Sequence, residues 1–144
     1  MRKLLTLAVS VLAAATAMAQ TPSSKEFNER YQLLVSKLGP SGVGIETLLD
    51  KWEAAYPDDA DMLLGKFTYY SSKSQSSAVV AKPQDKFLGE KPVLTLKDTL
   101  GNPVNYFQVT DYDDELFGMS QKSIEKAIQL NPDRLDLRVL KVAA

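Results

Sequence analysis

The strongest constraint on the fold is a series of short apolar stripes at helical spacing, the first two of which are each closed by proline. The first stripe contains Phe27, Tyr31, Leu34 and Leu38. These residues fall at i, i+4, i+7 and i+11, which is the spacing of one face of an amphipathic helix. A Gly-Pro pair follows Leu38 and predicts the end of that helix, because glycine suits a left-handed cap and proline cannot continue the helix.

Two further apolar stripes at helical spacing follow. The second runs over residues 45–56 and stops at Pro57. Asp58 or Asp59 is then placed to cap a third helix, since aspartate accepts hydrogen bonds from the first backbone amides of a helix. The apolar face of this third helix contains Leu63, Phe67 and Tyr70. Short connections between such segments predict antiparallel helix pairs.

The composition changes after the third stripe. Five of the seven residues from 71 to 77 are serine, which predicts a mobile linker. The segments 93–96 and 104–109 then alternate like strands around a turn at Gly101, and they predict a β-hairpin. Helical spacing returns after Thr110 or Asp111, either of which is placed to cap the next helix.

These signals predict a mainly α fold of antiparallel helix pairs with an inserted β-hairpin. The chain then divides into a leader over residues 1–19, N-terminal helices over 20–70, a Ser/Lys-rich linker over 71–92, the hairpin over 93–110 and further helices over 111–144. The last helix has no stop signal before Ala144. We therefore expect either a piece of a longer protein or an early-ending gene product.

The N-terminal 19 residues have the three parts of a secretory signal peptide. Arg2 and Lys3 form a positive start, an apolar run follows, and Ala17 and Ala19 supply the small residues that a signal peptidase accepts. The uncharged run is shorter than the roughly 20 residues of a spanning helix. We expect cleavage after Ala19, a periplasmic or secreted location, and no membrane span in the remaining chain.

Several function classes are disfavoured by composition. The chain has no Cys and no His, so cysteine nucleophiles, thiolate metal sites and histidine bases are excluded. Without Arg2 and Lys3 it carries 15 basic and 18 acidic side chains, a balance that gives no reason to expect nucleic acid as a partner. We expect no enzyme activity, no cofactor and no metal.

An internal repeat relates the two predicted helix corners. Residues 51–62 and 126–137 align at an offset of 75, with lysine, proline and two aspartates in common. Repetition of one helix-turn-helix unit is typical of solenoid proteins, in which each pair buries its apolar face against its neighbours.

The second corner resembles the second helix of a tetratricopeptide repeat (TPR). The residues that carry the resemblance are Ser120, Ile124, Ala127 and Pro132. The first corner departs from that pattern, with Ile45 and Trp52 at the small positions. The whole arrangement resembles the TPR-like exported proteins of Bacteroides-type bacteria. This resemblance implies an α-solenoid fragment that binds another protein.

Candidate binding residues are few. Among the aromatic residues near the first corner, Tyr69 lies off the predicted buried face, and Tyr106 lies in the predicted hairpin, so both are candidates for a binding surface. The acidic run over residues 111–115 invites a calcium site, but it lacks the glycine and distal glutamate of an EF-hand loop and is explained by the first turn of a helix.

The sequence thus predicts an exported scaffold for protein–protein interaction in the cell envelope, with an unidentified protein partner. Two alternatives stay open. One is a carbohydrate or small-ligand binding module of an outer-membrane uptake complex, which exposed aromatics near Tyr69 and Tyr106 would favour. The other is an enzyme whose catalytic part lies beyond Ala144.

Overall fold

The computed structural model describes residues 20–143, within which it places five helices and three strands. The elements in chain order are α1 (Ser24–Leu38), α2 (Ile45–Ala55), α3 (Ala60–Ser74), β1 (Gln75–Lys82), β2 (Leu94–Lys97), β3 (Pro103–Tyr112), α4 (Asp114–Leu130) and α5 (Leu135–Ala143). Helix α3 continues directly into β1, and β3 leads through one residue into α4. The sheet is therefore an insertion between two helices that pack against each other.

Capping side chains explain where the helices begin. Ser23 and Glu26 form a capping box at the start of α1, with Ser23 N donating to the Glu26 carboxylate at 2.7 Å. Asp59 accepts hydrogen bonds from Asp61 N and Met62 N at the start of α3, as the sequence predicts. The predicted cap of α4 is wrong, because residues 110–112 belong to β3 and Asp113 is the N-cap.

One hydrophobic core joins all five helices. Its buried members are Phe27, Tyr31, Ile45, Leu49, Trp52, Met62, Leu63, Phe67, Tyr69, Tyr70, Ile124, Ala127 and Leu137. The indole of Trp52 stacks on the Phe27 ring with 6.0 Å between centroids and 7° between planes. The predicted apolar stripes therefore converge on one body, which we call the helical body. The far end of the first stripe does not, since Leu38 is 54% exposed.

A close approach between helices depends on Gly65. A Cβ atom built on this residue of α3 would lie 2.8 Å from Leu49 Cδ2 of α2 and 3.4 Å from Tyr31 Cζ of α1. The absence of a side chain therefore lets α3 lie against both earlier helices.

The three strands form one antiparallel sheet in the order β1-β3-β2. The predicted hairpin corresponds to β2 and β3, which pair with Leu96 opposite Val104. Strand β1 adds to the other side of β3 over eight residues, from Gln75 opposite Tyr112 to Lys82 opposite Asn105.

The predicted fold class is wrong. The described residues are 54% helical and 19% strand, a mixture of α and β with a three-stranded antiparallel sheet, and the helix pairs are not shown to be a solenoid. The predicted linker over 71–92 is wrong in its first half, because α3 extends to Ser74 and β1 follows at once. Ser74 is only 2% exposed, and its carbonyl oxygen accepts from Asp113 N at 2.8 Å. Packing thus overrides the flexibility that a serine-rich composition indicates.

The predicted signal peptide lies outside the described residues. Of the helices within residues 20–143, none has the length and hydropathy that a bilayer span requires.

Candidate functional site

One face of the sheet presents a contiguous apolar surface. Residues directly opposite each other in neighbouring strands point to the same face. Tyr106 of β3 lies opposite Ala81 of β1 and Leu94 of β2. The surface, here named the apolar sheet face, consists of Val79, Ala81, Leu94, Leu96, Val104 and Tyr106.

This face is open to solvent. Val79 is 63% exposed, Leu94 51% and Leu96 49%, while Val104 and Tyr106 are half-buried. None of the six residues belongs to the core of the helical body. Single exposed apolar residues are ordinary on protein surfaces, but a contiguous exposed patch marks an interaction site.

The opposite face of the sheet is covered by the chain itself. Phe107 is 1% exposed and packs against Phe87 of the β1–β2 loop, with ring centroids 5.8 Å apart. Asn105 is 2% exposed, and its Nδ2 donates to the Gln84 carbonyl oxygen at 2.9 Å. The Lys82 ammonium lies 5.2 Å from the centroid of the Phe87 ring. The sheet therefore has its own small core on one side.

Polar groups border the apolar sheet face toward the helical body. Gln108 Nε2 donates to Ser77 Oγ at 2.8 Å, which joins β3 to β1 beside Val79. Thr110 and Gln75 continue this polar end. A patch with an apolar centre and a polar margin has the composition of a protein–protein interface.

The structure separates the two predicted binding residues. Tyr106 lies at the centre of the apolar sheet face, but Tyr69 is 4% exposed and belongs to the helical core. The prediction of Tyr69 as a surface residue is wrong because α3 packs against α2 on one side and α4 on another. A helix between two neighbours buries more of its circumference than one stripe indicates.

Tyr69 belongs instead to a hydrogen-bonded cluster that links α2 to α3. Its hydroxyl donates to the Glu46 carboxylate at 2.9 Å and accepts from Lys73 Nζ at 2.9 Å. Lys73 Nζ also donates to Glu46 at 3.0 Å. The hydrogen bonds from Lys73 and Tyr69 lower the pKa of Glu46, and those to Tyr69 and Glu46 raise the pKa of Lys73. These hydrogen bonds stabilise the Glu46 carboxylate and the Lys73 ammonium, which favours a structural role for the cluster.

A groove of about 640 Å³ lies between α1 and α2. Its apolar lining includes Phe27, Leu34 and Leu48, and the cations Arg30 and Lys51 stand on opposite helices. Within residues 20–143, no acidic side chain lines it. Its volume is in the range of small-ligand sites.

No cluster for a metal occurs in the described part of the chain, where no three His, Cys, Asp or Glu side chains converge. In the acidic run that invites a calcium site, Asp113 accepts from Leu116 N at 2.9 Å and so caps α4.

Comparisons with protein-family models, with curated proteins and with solved structures find no match to this chain. The candidate site therefore stands on its geometry. The sequence placed four of its six residues in the predicted hairpin but missed Val79 and Ala81, because β1 was assigned to the linker. The short continuous apolar run over residues 78–81, with two β-branched valines, is the sequence signal that would have found this strand.

Proposed function

We propose that this chain is a non-catalytic protein-binding module of the cell envelope, and that its protein partner docks on the apolar sheet face. The observation that carries the proposal is the exposure of Val79, Leu94 and Leu96 in one contiguous patch across three strands. Exposure of apolar surface to water is unfavourable by about 25 cal/mol per Å². Burial of the patch against a partner protein would therefore favour binding.

The shape of the patch favours a protein over a small molecule. Small-ligand sites are concave and enclose most of the ligand, whereas a sheet face is broad and open. Tyr106 stands at its centre, and tyrosine is enriched where interfaces bind most strongly. The rest of the face is aliphatic, which suits the core of a protein interface.

The envelope location rests on the N-terminal segment, which has the charge, apolar run and small residues of a signal peptide. The non-catalytic role rests on the chain's lack of Cys and His and on the structural role of the Glu46 cluster.

Site-specific photo-crosslinking in cells tests this proposal. A photoreactive amino acid is placed at Leu96, and in a matched variant at Val43, which is 91% exposed in the α1–α2 connection. We expect a covalent adduct with another protein from position 96 and none from position 43.

A substitution on the face supplies the second arm of the test. Leu94→Asp introduces a charge next to position 96 and is expected to remove the adduct. Equal adducts from positions 96 and 43, or an adduct that persists with Leu94→Asp, would contradict the proposal. An adduct of twice the chain's mass identifies a second copy in place of a different protein.

The groove between α1 and α2 favours a second candidate function, the binding of a small anionic amphiphile. Arg30 and Lys51 would pair with its anionic group, while Phe27, Leu34 and Leu48 would contact its apolar part. A medium-chain fatty acid titrated against the isotope-labelled protein tests this function. Shifts in the amides of α1 and α2 that Lys51→Gln weakens would support it, and unchanged spectra would refute it.

A further inference from the structure

The two edges of the sheet differ in how far they are protected from pairing. Strand β2 has four residues, follows closely on Pro92 and ends at Lys97, which lies opposite Pro103. Short strands, lysine and proline are the features that blunt sheet edges. Strand β1 (Gln75–Lys82) has eight residues, no proline and a single charge at its last position. The β1 edge is therefore an unprotected one.

One hydrogen bond shows which backbone groups of β1 point away from β3. Asp113 N donates to the Ser74 carbonyl oxygen at 2.8 Å at the point where the β1–β3 pairing begins. In an antiparallel pair, hydrogen bonding alternates from one residue to the next. The amide and carbonyl groups of Ser77, Val79 and Ala81 therefore point away from β3, and β3 is the only strand paired with β1 in residues 20–143.

We infer that β1 pairs with β1 of a second copy, antiparallel and about a two-fold axis at Val79. In this register Val79 lies opposite its own copy, and Ser77 lies opposite Ala81 of the second copy. The outward groups of these residues then satisfy one another in about six hydrogen bonds. The pairing stops where Gln75 meets Pro83 of the second copy, since proline has no amide to donate.

Charge complementarity supports this register. Ser76 lies opposite Asp111 of β3, and the pairing places Lys82 of the second copy opposite Ser76 on its other side. Three strands in a row put the Asp111 and Lys82 backbones about 10 Å apart, a span that the two side chains cover above the small serine. Neither residue is ion-paired within residues 20–143. The symmetry forms this pair twice.

The difference between the edges favours a closed dimer. Pairing of β1 with β2 of another copy would leave a free edge at each end and build an open filament. The short, lysine-bearing β2 edge disfavours that contact. Pairing of β1 with β1 consumes both open edges and leaves the two blunted ones outside.

The dimer goes beyond the proposed function and does not depend on it. Side chains alternate along a strand with a period of two, and residues directly opposite each other point to the same face. When Val79 lies opposite Val79 of the second copy, the apolar sheet faces of both copies are therefore on the same side of the joined sheet. The apolar sheet faces of the two copies therefore join into one six-stranded surface. A partner that binds this surface would contact both copies.

Sedimentation equilibrium of the protein, purified from cells that express the full chain, tests the inference. We expect a concentration-dependent dimer for the unmodified protein. Val79→Lys places two like charges together at the axis and is expected to weaken dimerisation by about tenfold or more. Val79→Thr keeps the shape and is expected to dimerise like the unmodified protein. Val79→Pro removes the outward amide of residue 79 and, like Val79→Lys, is expected to weaken dimerisation.

Charge reversal tests the register. Lys82→Glu brings two carboxylates together and is expected to weaken the dimer, and a second change, Asp111→Lys, is expected to restore it. Circular dichroism of each variant shows that the fold is kept. A monomeric unmodified protein, a Val79→Lys variant that dimerises fully, or a double reversal without recovery would each overturn the inference.

Discussion

The helical body and the sheet use the same apolar residue types in opposite ways. In the helical body, Leu49 is 1% exposed and Ile124 is fully buried. In the sheet, Leu96 and Leu94 have about half of their surface in water. The five helices bury their apolar faces against one another in one core. The sheet is covered by a loop on one face, and its other face is exposed to solvent. An apolar pattern therefore predicts a helix or strand face, but it does not say whether the rest of the chain covers that face.

The two regions are also stabilised separately. The core of the helical body contains no residue of the sheet, whose own core rests on Phe107, Phe87 and Asn105. A small isolated sheet is marginally stable, so its anchorage to α3 and α4 at Ser74 and Asp113 matters. Five changes test how far this separation extends.

The largest expected effect is that of Trp52→Ala in the helical body. Trp52 is fully buried against Phe27, and removal of its ring is expected to lower the free energy of unfolding by about 3–5 kcal/mol. Urea denaturation followed by far-UV circular dichroism measures the loss. Trp52→Phe is the control with a smaller loss, because it keeps an aromatic ring and removes an indole N–H that has no partner within residues 20–143. A small loss for Trp52→Ala would contradict the assigned core.

Phe107→Ala is expected to act on the sheet alone. Phe107 is 1% exposed, and its loss is expected to lower the opening free energy of the sheet amides by about 3 kcal/mol. Hydrogen exchange of β3 measures this effect, with the amides of α2 as the internal control. Equal loss of protection in α2 would show that the two regions unfold together and would break the comparison.

Asp59→Ala is expected to cost about 1 kcal/mol, because two backbone amides of α3 lose their acceptor. Ser24 Oγ also donates to Asp59, so α1 and α3 lose one connection. Thermal and urea denaturation report the change. The matched control is Asp58→Ala, which removes only an exposed ion pair with Lys126 and is expected to change stability by less than about 0.5 kcal/mol. Equal effects of the two variants would refute the capping role.

The Glu46 cluster predicts a pH dependence in the helical body. Hydrogen bonds from Lys73 and Tyr69 hold the pKa of Glu46 below its ordinary value of 4.5, so the stabilisation is fully present above pH 4.5 and is lost as the pH falls through the lower folded pKa. The group is partly exposed, and the effect is expected to be less than about 1 kcal/mol.

Urea denaturation of the unmodified protein and of Glu46→Gln over pH 3 to 7 measures this dependence. The stability difference between them is expected to shrink below about pH 4.5. Glu29→Gln, on the exposed side of α1, is the control. A constant difference over the whole range would contradict the role assigned to Glu46.

The smallest expected effect is that of Leu96→Thr on the apolar sheet face. Leu96 is half exposed and threonine favours strands, so stability is expected to change by less than about 0.5 kcal/mol. Leu49→Thr makes the same substitution in the helical body, where a loss of about 3 kcal/mol or more is expected. Urea denaturation of the pair compares the two regions directly, and similar losses would show that the apolar sheet face is covered in solution.

The sequence predicted the local elements well where short-range signals agree. The stripe ending at Pro57, the aspartate cap at Asp59 and the hairpin around Gly101 all appear as α2, α3 and the β2–β3 pair. It failed over residues 75–82, because composition indicated flexibility while the strand is held by β3, which lies more than twenty residues further along the chain. Tyr69 failed for a similar reason, since it is buried where its hydroxyl meets Glu46 of α2, 23 residues away in the chain.

The sequence by itself determined the chemical repertoire and the ends of most helices, because residue type and nearest-neighbour spacing decide both. A chain without Cys and His lacks their chemistry in any fold. Only the tertiary structure decided that β1 completes a sheet, that Tyr69 is enclosed and that Tyr106 stands in an open apolar face. These features depend on contacts between residues far apart in the chain, and no local pattern records which of two apolar faces will be covered.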